Sequence, residues 1–324
     1  MNYIGKCIQS LIDNSYPKNL ISIYVCDGMS NDGTRKLVQT FIDNYNHIFL
    51  LDNIKRTTPI ALNLGLKKST SDIKIILGAH SEVDENFILE NVKAINLNSE
   101  IGCVGGVLEN VYENDVSKII GLAMSSSFGV GNAHFRTGNK NGYVDTVAFG
   151  AYKKEVFNAV GYFDESLDRN QDDEFNFRLT KHGFKIFLSE KIKCKYFVRA
   201  SYKKLFRQYF QYGYWKVFVN KKHKTITSLR QLIPVFFVLF LITSLIIGVI
   251  APKLLIVSAI ILSFYIILSF KSSLSLTNKI KNNIKIPFVF FILHISYGLG
   301  YLMGVIDFLI RFKKPNSKAK TLTR

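Results

Sequence analysis

The acidic run at residues 172–174 opens a helical stretch and offers carboxylates for acid–base chemistry. Helical spacing puts residue 172 on the same face as Phe175, so we expect Asp172 at the inner edge of this helix. Glu174 precedes Arg178 by four residues, which is the spacing of an ion pair on a helix surface. Acidic residues also favour helix N-termini through the helix dipole, so the run alone does not establish catalysis.

A second candidate is Asp27, which directly follows the apolar run 21–26 (ISIYVC) and begins the motif DGMSNDGT. A turn that leaves the carboxyl end of a buried strand is where open α/β sheets bind ligands. Asp27 can accept hydrogen bonds there from a base or a ribose, and Gly28 and Gly33 allow a tight turn. Clusters of Asp, Gly, Asn and Ser also mark ordinary loops, so this motif alone is only moderately specific.

The apolar run 73–78 predicts a further buried strand, which ends at Gly78 and brings His80 and Glu82 to the same edge. His80 is a candidate metal ligand there, and Glu82 is a weaker one. An isolated histidine at a strand end is more often simply hydrogen-bonded. Asn63, in a predicted helix, stands where a polar side chain near a ligand is useful.

These candidates need a scaffold that brings strand ends together. Predicted strands at 21–26, 47–52, 73–78 and 101–110 alternate with helices, which indicates an α/β fold with a mainly parallel sheet and one shared ligand edge. Residues 125–142 predict a long mobile loop. A strand, a Gly150–Ala151 turn and a short helix then lead into the acidic stretch.

The chain has 324 residues, of which 48% are hydrophobic, and its formal net charge is +18. Such a charge indicates an anionic partner. The basic residues crowd around apolar C-terminal segments and show no base-stacking pattern, which favours membrane lipids over nucleic acid. The four cysteines have no metal-ligand spacing, so we expect reduced core residues in a cytosol-facing domain.

Three apolar runs predict transmembrane segments at 231–250, 253–270 and 287–310, because about 20 apolar residues cross a hydrocarbon core of about 30 Å. We therefore expect a multi-pass protein of the cell membrane with a cytoplasmic catalytic domain. The lysines between the second and third runs agree with this orientation, but the equally basic tail lies outside if all three runs cross. Either the third run is re-entrant or the positive-inside tendency is broken. The glycines at 298–304 permit close helix packing or a bend.

Taken in order, the motifs resemble family-2 glycosyltransferases with the GT-A fold, in particular their exopolysaccharide (succinoglycan-type) branch. The matching motifs are DGMSNDGT, PIALNLG, GAHSE, VDTVAFGAYKKEVFNAVGYFDE, NQDDEFNFRL and LFRQYFQYGYWK, and they cover nearly all of residues 1–216. The resemblance implies a GT-A-type α/β domain over residues 1–224, with a mainly parallel sheet flanked by helices, and a membrane domain over residues 225–324.

The resemblance also assigns roles to residues. Asp27 is expected to hold the nucleotide base, and Asp172 to deprotonate the acceptor hydroxyl. Further donor-binding residues are expected at Asn63, Gly78, His80, Gln208, Gln211 and Trp215, and acceptor-binding residues at Gly150, Ala151 and Asp173. The expected donor is a nucleotide sugar, in the first place a UDP-sugar, and the expected acceptor is a polysaccharide or a lipid-linked glycan.

Sugar transfer from a nucleoside diphosphate needs two kinds of help. A divalent metal or fixed cations neutralise the departing diphosphate, and one positioned carboxylate activates the incoming hydroxyl, typically by about 10²–10⁴-fold. Direct displacement inverts the anomeric centre, so the resemblance implies an inverting transferase.

The sequence departs from the family pattern in two places. The family has a strand before the first helix, and this chain starts after it, so we expect an N-terminally truncated sequence. The metal-binding turn, usually Asp-x-Asp or Asp-x-His, is here Gly78-Ala79-His80. His80 and Glu82 are then the expected ligands for Mg²⁺ or Mn²⁺, with weakened affinity. Both departures leave open an alternative function, a non-catalytic membrane scaffold or glycan-binding relative.

Overall fold

A computed structural model describes residues 3–313 of the chain. The chain forms two compact units, one of Met1–Asn110 with Ala133–Phe197 and one of Val111–Asn132 with Val198–Arg324. The predicted basic tail falls partly outside the described residues, at Lys314, Lys318, Lys320 and Arg324. The predicted domain boundary at residue 224 stays a prediction.

The chain alternates strands and helices up to residue 197 and is helical afterwards. The strands are β1 Ile23–Asp27, β2 Ile48–Asp52, β3 Ile73–Ile75, β4 Ser81–Val83, β5 Ile101–Val111, β6 Gly142–Val144, β7 Ala148–Lys153 and β8 Lys185–Phe197. The helices are α1 Ile4–Ile12, α2 Thr34–Asn44, α3 Thr58–Lys68, α4 Phe87–Ile95, α5 Asp115–Met124, α6 Ser127–Val130, α7 His134–Thr137, α8 Lys154–Val160, α9 Gln171–Lys181, α10 Tyr202–His223, α11 Ile233–Ile250, α12 Leu255–Leu274 and α13 Ile280–Gly304.

The predicted α/β fold class is confirmed, but the sheet is mixed instead of mainly parallel. Strands β1 and β2 form a parallel pair. The other sheet has the order β3-β7-β5-β8-β4, with β6 on β8, and its pairs β3–β7, β5–β7, β4–β8 and β6–β8 are antiparallel. Strand–helix alternation predicts parallel neighbours only when sequential strands pair. Here β3 pairs with β7, about 75 residues later in the chain.

Two local predictions were wrong. Gly150 and Ala151 lie buried inside β7, where Ala151 pairs with Ile75 and Val104, so they do not form a turn. The stretch 125–142 is not a continuous loop, because it contains α6 and α7. The side chain of Ser126 accepts a hydrogen bond from the backbone of Phe128 and so caps α6, a local interaction that composition alone does not reveal.

The first unit has an aromatic core beneath α9. Phe175 and Leu179 of α9 are fully buried, as the helical spacing predicts. The ring centroids of Phe175 and Phe163 lie 4.4 Å apart, and Tyr152 of β7 meets Phe175 edge-on at 5.4 Å. The helix that carries the acidic run is therefore anchored on the sheet by its inward aromatic face.

The second unit contains three helices that are long and apolar enough to cross a membrane, at Leu229–Ile250, Pro252–Leu274 and Ile280–Ile310. They overlap the three predicted runs, and the third begins earlier than predicted. Helices α10 and α13 pack closely against each other because glycines lie where they meet. A Cβ at Gly213 would lie 2.1 Å from the carbonyl oxygen of Tyr297, and a Cβ at Gly300 would lie 2.0 Å from the carbonyl oxygen of Phe210. The glycine cluster therefore serves close packing.

Candidate active site

Asp27 lies at the carboxyl end of β1, as predicted, and its carboxylate is held from two sides. Its Oδ2 accepts a hydrogen bond from the backbone N–H of Ser30 at 2.9 Å and one from Nη1 of Arg35 at 3.1 Å. The same Nη1 of Arg35 lies 2.8 Å from Oδ1 of Asp52, the residue paired with Asp27 across the two parallel strands. One guanidinium thus links the ends of β1 and β2.

Two opposing effects act on the pKa of Asp27. Burial raises the pKa, but the hydrogen bonds from Ser30 and Arg35 and the charge of Arg35 outweigh burial, so the net effect is a lowered pKa. The carboxylate is therefore ionised at neutral pH and oriented before any ligand arrives. Sequence reasoning missed Arg35. Its signal is a basic residue in the first turn of the helix that follows DGMSNDGT.

Asn63 is buried, and its amide group holds the segment that leads to α9. Its Nδ2 donates to the backbone oxygen of Phe163 at 2.9 Å and to Oε1 of Glu165 at 3.0 Å. Its Oδ1 accepts from the backbone N–H of Phe163 at 3.0 Å. Both amide hydrogens are thereby used within the protein, which makes Asn63 a positioning residue in this structure.

The predicted metal turn lies between β3 and β4. Gly78 and His80 are exposed, and the His80 ring lies 4.5 Å from the ring of Tyr3, centroid to centroid. Glu82 makes an ion pair with Lys195 on the adjacent strand, with Nζ 2.7 Å from Oε1. Among residues 3–313, no group of three His, Cys, Asp or Glu side chains is placed to hold a metal ion.

A metal ion needs several converging donors, and these residues do not supply them. Glu82 is paired with Lys195, and within the described chain His80 does not belong to a group of three His, Cys, Asp or Glu side chains that could hold a metal ion. The side chains present do not fit a preformed divalent site. The prediction of Mg²⁺ or Mn²⁺ therefore rests on the resemblance alone.

The three carboxylates of α9 occupy different environments. Glu174 is fully buried, whereas Asp172 is exposed and Asp173 is half-buried. The prediction that Asp172 lies at the inner edge and Glu174 on the surface was therefore wrong. The predicted partner of Glu174 was right: Nε and Nη2 of Arg178 lie 2.9 Å from its two carboxylate oxygens. Asp172 is exposed in the first turn of the helix, and its Oδ1 accepts a hydrogen bond from the backbone N–H of Asp173 at 2.9 Å.

A buried polar group lies beneath this turn. The hydroxyl of Tyr152 donates to Oδ1 of Asn176 at 3.2 Å, and Nδ2 of Asn176 donates to the hydroxyl of Thr146 at 3.2 Å. Burial raises the pKa of Tyr152 well above its ordinary value, and the nearby charge of Asp172 acts in the same direction. Sequence reasoning missed this pair because β7 and α9 are separated along the chain.

The remaining predicted residues lie elsewhere in the fold. Gly150 and Ala151 are buried in β7 of the first unit. Gln208, Gln211 and Trp215 lie on α10 of the second unit, and all three side chains are buried. Nε2 of Gln208 donates to the hydroxyl of Tyr212 at 2.8 Å, whereas its Oε1 has no partner among the described residues. The site roles of these five residues stay predictions.

The fold and the strand-end aspartate define the class of protein. The structure has a GT-A-like α/β fold with a mixed sheet. Residues 1–161 match the family Glycosyl transferase family 2. The chain belongs to this family and is a glycosyltransferase.

Two relatives align with most of this chain. The chain is 27% identical over 320 residues to the dolichyl N-acetyl-alpha-D-glucosaminyl phosphate 3-beta-D-2,3-diacetamido-2,3-dideoxy-beta-D-glucuronosyltransferase of Methanococcus voltae, over 96% of this chain and 95% of the relative. It is 29% identical over 238 residues to the succinoglycan biosynthesis protein ExoA of Rhizobium meliloti, over 72% of this chain and 71% of that protein.

One solved structure is similar along most of the chain. The mannosyltransferase PcManGT from Pyrobaculum calidifontis, in complex with GDP-Man and Mn²⁺, superposes with a TM-score of 0.58 over 91% of this chain and 83% of its own, at 16% identity. At this identity the likeness concerns the fold alone.

Proposed function

We propose that the protein transfers a sugar from a nucleotide-sugar donor, with inversion, to a lipid-linked or polysaccharide acceptor in the synthesis of a cell-surface glycan. The match to the Methanococcus voltae transferase along 96% of this chain carries the proposal, because it includes both the transferase region and the apolar helices. The name of that relative describes transfer to a dolichyl-phosphate-linked sugar, and the ExoA protein acts in exopolysaccharide synthesis.

The proposed reaction uses two carboxylates. Asp27, ionised and fixed by Arg35 and Ser30, accepts hydrogen bonds from the donor's base. Asp172 takes the proton of the acceptor hydroxyl as its oxygen bonds to the anomeric carbon, while the bond from that carbon to the diphosphate breaks. The nucleoside diphosphate leaves with the bonding electron pair. A UDP-sugar is our proposed donor, and attack opposite the leaving group inverts the anomeric centre.

The experiment is transfer from labelled nucleotide sugars by membranes that contain the full chain. We expect Asp172→Asn to reduce turnover by about 10²–10⁴-fold, the usual contribution of a general base. Glu155→Gln is the matched control, because Glu155 is also a carboxylate in the first turn of a helix. Normal turnover by Asp172→Asn would remove the proposed role of that residue.

Calorimetry with UDP separates this function from the non-catalytic alternative. We expect the wild type and Asp172→Asn to bind UDP equally, and Asp27→Asn to bind it more weakly, since Asp27 is assigned to the base. A wild-type chain that binds a glycan but neither binds UDP nor transfers any sugar would favour the scaffold.

We also propose that the transferase region faces the cytoplasm, at the cell membrane, where nucleotide sugars are available. The lysines that follow α12 support this orientation, since basic residues are retained on the cytoplasmic side.

A further inference from the structure

The three apolar segments of the second unit differ in how much protein covers them. Only 17% of the first and 11% of the second are buried, against 44% of the third. Both α11 and α12 expose large apolar side chains over most of their surface, among them Leu245, Val249, Ile250, Ile256 and Ile260, and each buries only a narrow face. Helices that are apolar on every exposed face require lipid around them.

The third segment, Ile280–Ile310, exposes a single apolar stripe. Its exposed large apolar side chains recur at helical spacing and are Ile280, Ile284, Phe288, Phe291, Leu299, Met303, Ile306, Leu309 and Ile310. The opposite face is buried within the protein, including Ile286, Leu293 and Tyr301. A helix that exposes a single apolar stripe can bury this stripe in the membrane interface without being surrounded by lipid.

Helix α10 packs beside this segment along its length. The rings of Tyr202 and Phe288 are 5.6 Å apart at one end. Nζ of Lys221 lies 2.6 Å from the carbonyl oxygen of Phe308 at the other. The two helices run in the same direction for 20 residues, or about 30 Å. The depth of the third segment in the membrane therefore also fixes the depth of α10.

Helix α10 is too basic to be a span of its own and is not among the candidate spans of residues 3–313. Its exposed basic residues lie at both ends, at Lys203, Lys204, Arg207, Lys221 and Lys222. If the third segment crossed the bilayer, these two basic ends would lie on opposite faces, and Arg311 and Lys313 would lie outside. That arrangement opposes the positive-inside tendency at Lys221, Lys222, Arg311 and Lys313.

We propose that α11 and α12 enter the bilayer as a hairpin that returns to the same face, and that Ile280–Ile310 lies along this cytoplasmic face instead of crossing. Lys253, between α11 and α12, is then the one basic residue at the hairpin tip within 229–274. The exposed basic residues at both ends of α10 and after the third segment then meet the cytoplasmic surface, where anionic lipids attract them. In this proposal the protein is monotopic, in place of the multi-pass topology expected from the sequence.

The contacts at the base of the hairpin agree with this arrangement. The hydroxyl of Ser273 donates to Oδ1 of Asn283 at 3.1 Å, so α12 turns sharply into α13. A Cβ at Gly298 would lie 2.4 Å from the carbonyl oxygen of Pro234, so α13 meets α11 near its start. Beyond these contacts, residues 239–250 of α11 extend for about 18 Å, more than half of a hydrocarbon core of about 30 Å.

Cysteine labelling tests the proposal on the full chain in intact cells, with a membrane-impermeant maleimide. The variants are Thr225→Cys before α11, Asn278→Cys between α12 and α13, and Arg311→Cys after the third segment, all exposed positions. We expect all three to be labelled only after permeabilisation. Labelling of Arg311→Cys, but not of Asn278→Cys, in intact cells would overturn the proposal, because the third segment would then cross. The wild-type chain gives the background from the four native cysteines.

A reporter fused after Arg324 of the full chain gives an independent reading. We expect a C-terminal green fluorescent protein to fluoresce and a C-terminal alkaline phosphatase to be inactive, since the third segment ends on the cytoplasmic side in this arrangement. An active phosphatase would overturn the proposal. Neither assay depends on sugar transfer, so failure of the topology and failure of the proposed activity are distinguishable.

Discussion

The ion pair inside α9 offers the sharpest test of how the candidate site is held. Arg178 binds both carboxylate oxygens of the fully buried Glu174, and its Nη2 also donates to the backbone oxygen of Tyr162 at 2.8 Å. Nη1 donates to the backbone oxygen of Val160. One side chain therefore ties the end of α8 and the segment after it to the helix that begins with Asp172.

The variant Arg178→Met keeps the apolar stem of the side chain and removes its charged head. The buried carboxylate of Glu174 then loses the charged partner that binds both of its oxygens, and removing one partner of a buried ion pair costs about 3–5 kcal/mol. For a unit of this size, 1 kcal/mol shifts Tm by about 2–4 °C. We therefore expect the Tm of the first unit to fall by about 6–20 °C, a large part of the stability of an ordinary domain.

A fluorogenic thiol dye can follow this unfolding in detergent. All four cysteines of the chain lie in the first unit, and three of them are buried. Their reaction with the dye therefore reports the opening of that unit, without a signal from the apolar helices.

The double variant Glu174→Gln with Arg178→Met separates charge from packing. Both variants lose the bonds of Arg178 to the two backbone oxygens, but the double variant buries no unpaired charge. We expect it to recover part of the lost Tm. A double variant as unstable as Arg178→Met, or a shift below about 2 °C in the single variant, would refute the reasoning, since one uncompensated buried carboxylate accounts for the predicted loss.

Two further outcomes follow from other contacts. Arg35→Met should make UDP binding fail at a higher pH on acidification. In the wild type the lowered pKa of Asp27 keeps its carboxylate ionised below the usual pH range, whereas without Arg35 only the hydrogen bonds from Ser30 oppose the rise in pKa that burial causes. An unchanged pH profile in calorimetry would contradict this. Gly300→Leu should separate α10 from α13, since even a Cβ there would lie 2.0 Å from the carbonyl oxygen of Phe210. The fluorescence of the buried Trp215 on α10 should then shift to the red. The control Gly248→Ala, whose Cβ meets only the side chain of Leu255, should leave this fluorescence unchanged.

Local patterns predicted much of the fold because they depend on neighbouring residues. The spacing of Phe175 and Leu179 predicts the buried face of α9, and the apolar run 21–26 predicts β1 and the position of Asp27 at its end. Both follow from the periodicity of helices and strands. The family resemblance, carried by the order of the motifs, is confirmed by the match over residues 1–161.

The environments of the carboxylates were harder to predict. A helical wheel places residue 172 near the core face, but Asp172 is exposed in the first turn of α9. Glu174 is buried, and its partner Arg178 also donates to the backbone oxygens of Val160 and Tyr162 in the segment before α9. No pattern within α9 encodes a segment that precedes it in the chain, so the exposure of these two residues could not be read from spacing.

The same limit explains why the sequence analysis chose Asn63 as a candidate site residue and missed Arg35. Asn63 attracted attention as a polar residue within an apolar helix, yet its amide binds Phe163 and Glu165, 100 or more residues away. Arg35 was not among the candidates, yet it joins Asp27 to Asp52 because two strands place those aspartates side by side. The role of a polar residue depends on which groups the tertiary fold places beside it. The candidate site must therefore be argued from strand register and long-range hydrogen bonds, whereas residue type only reduces the number of candidate residues before the fold is known.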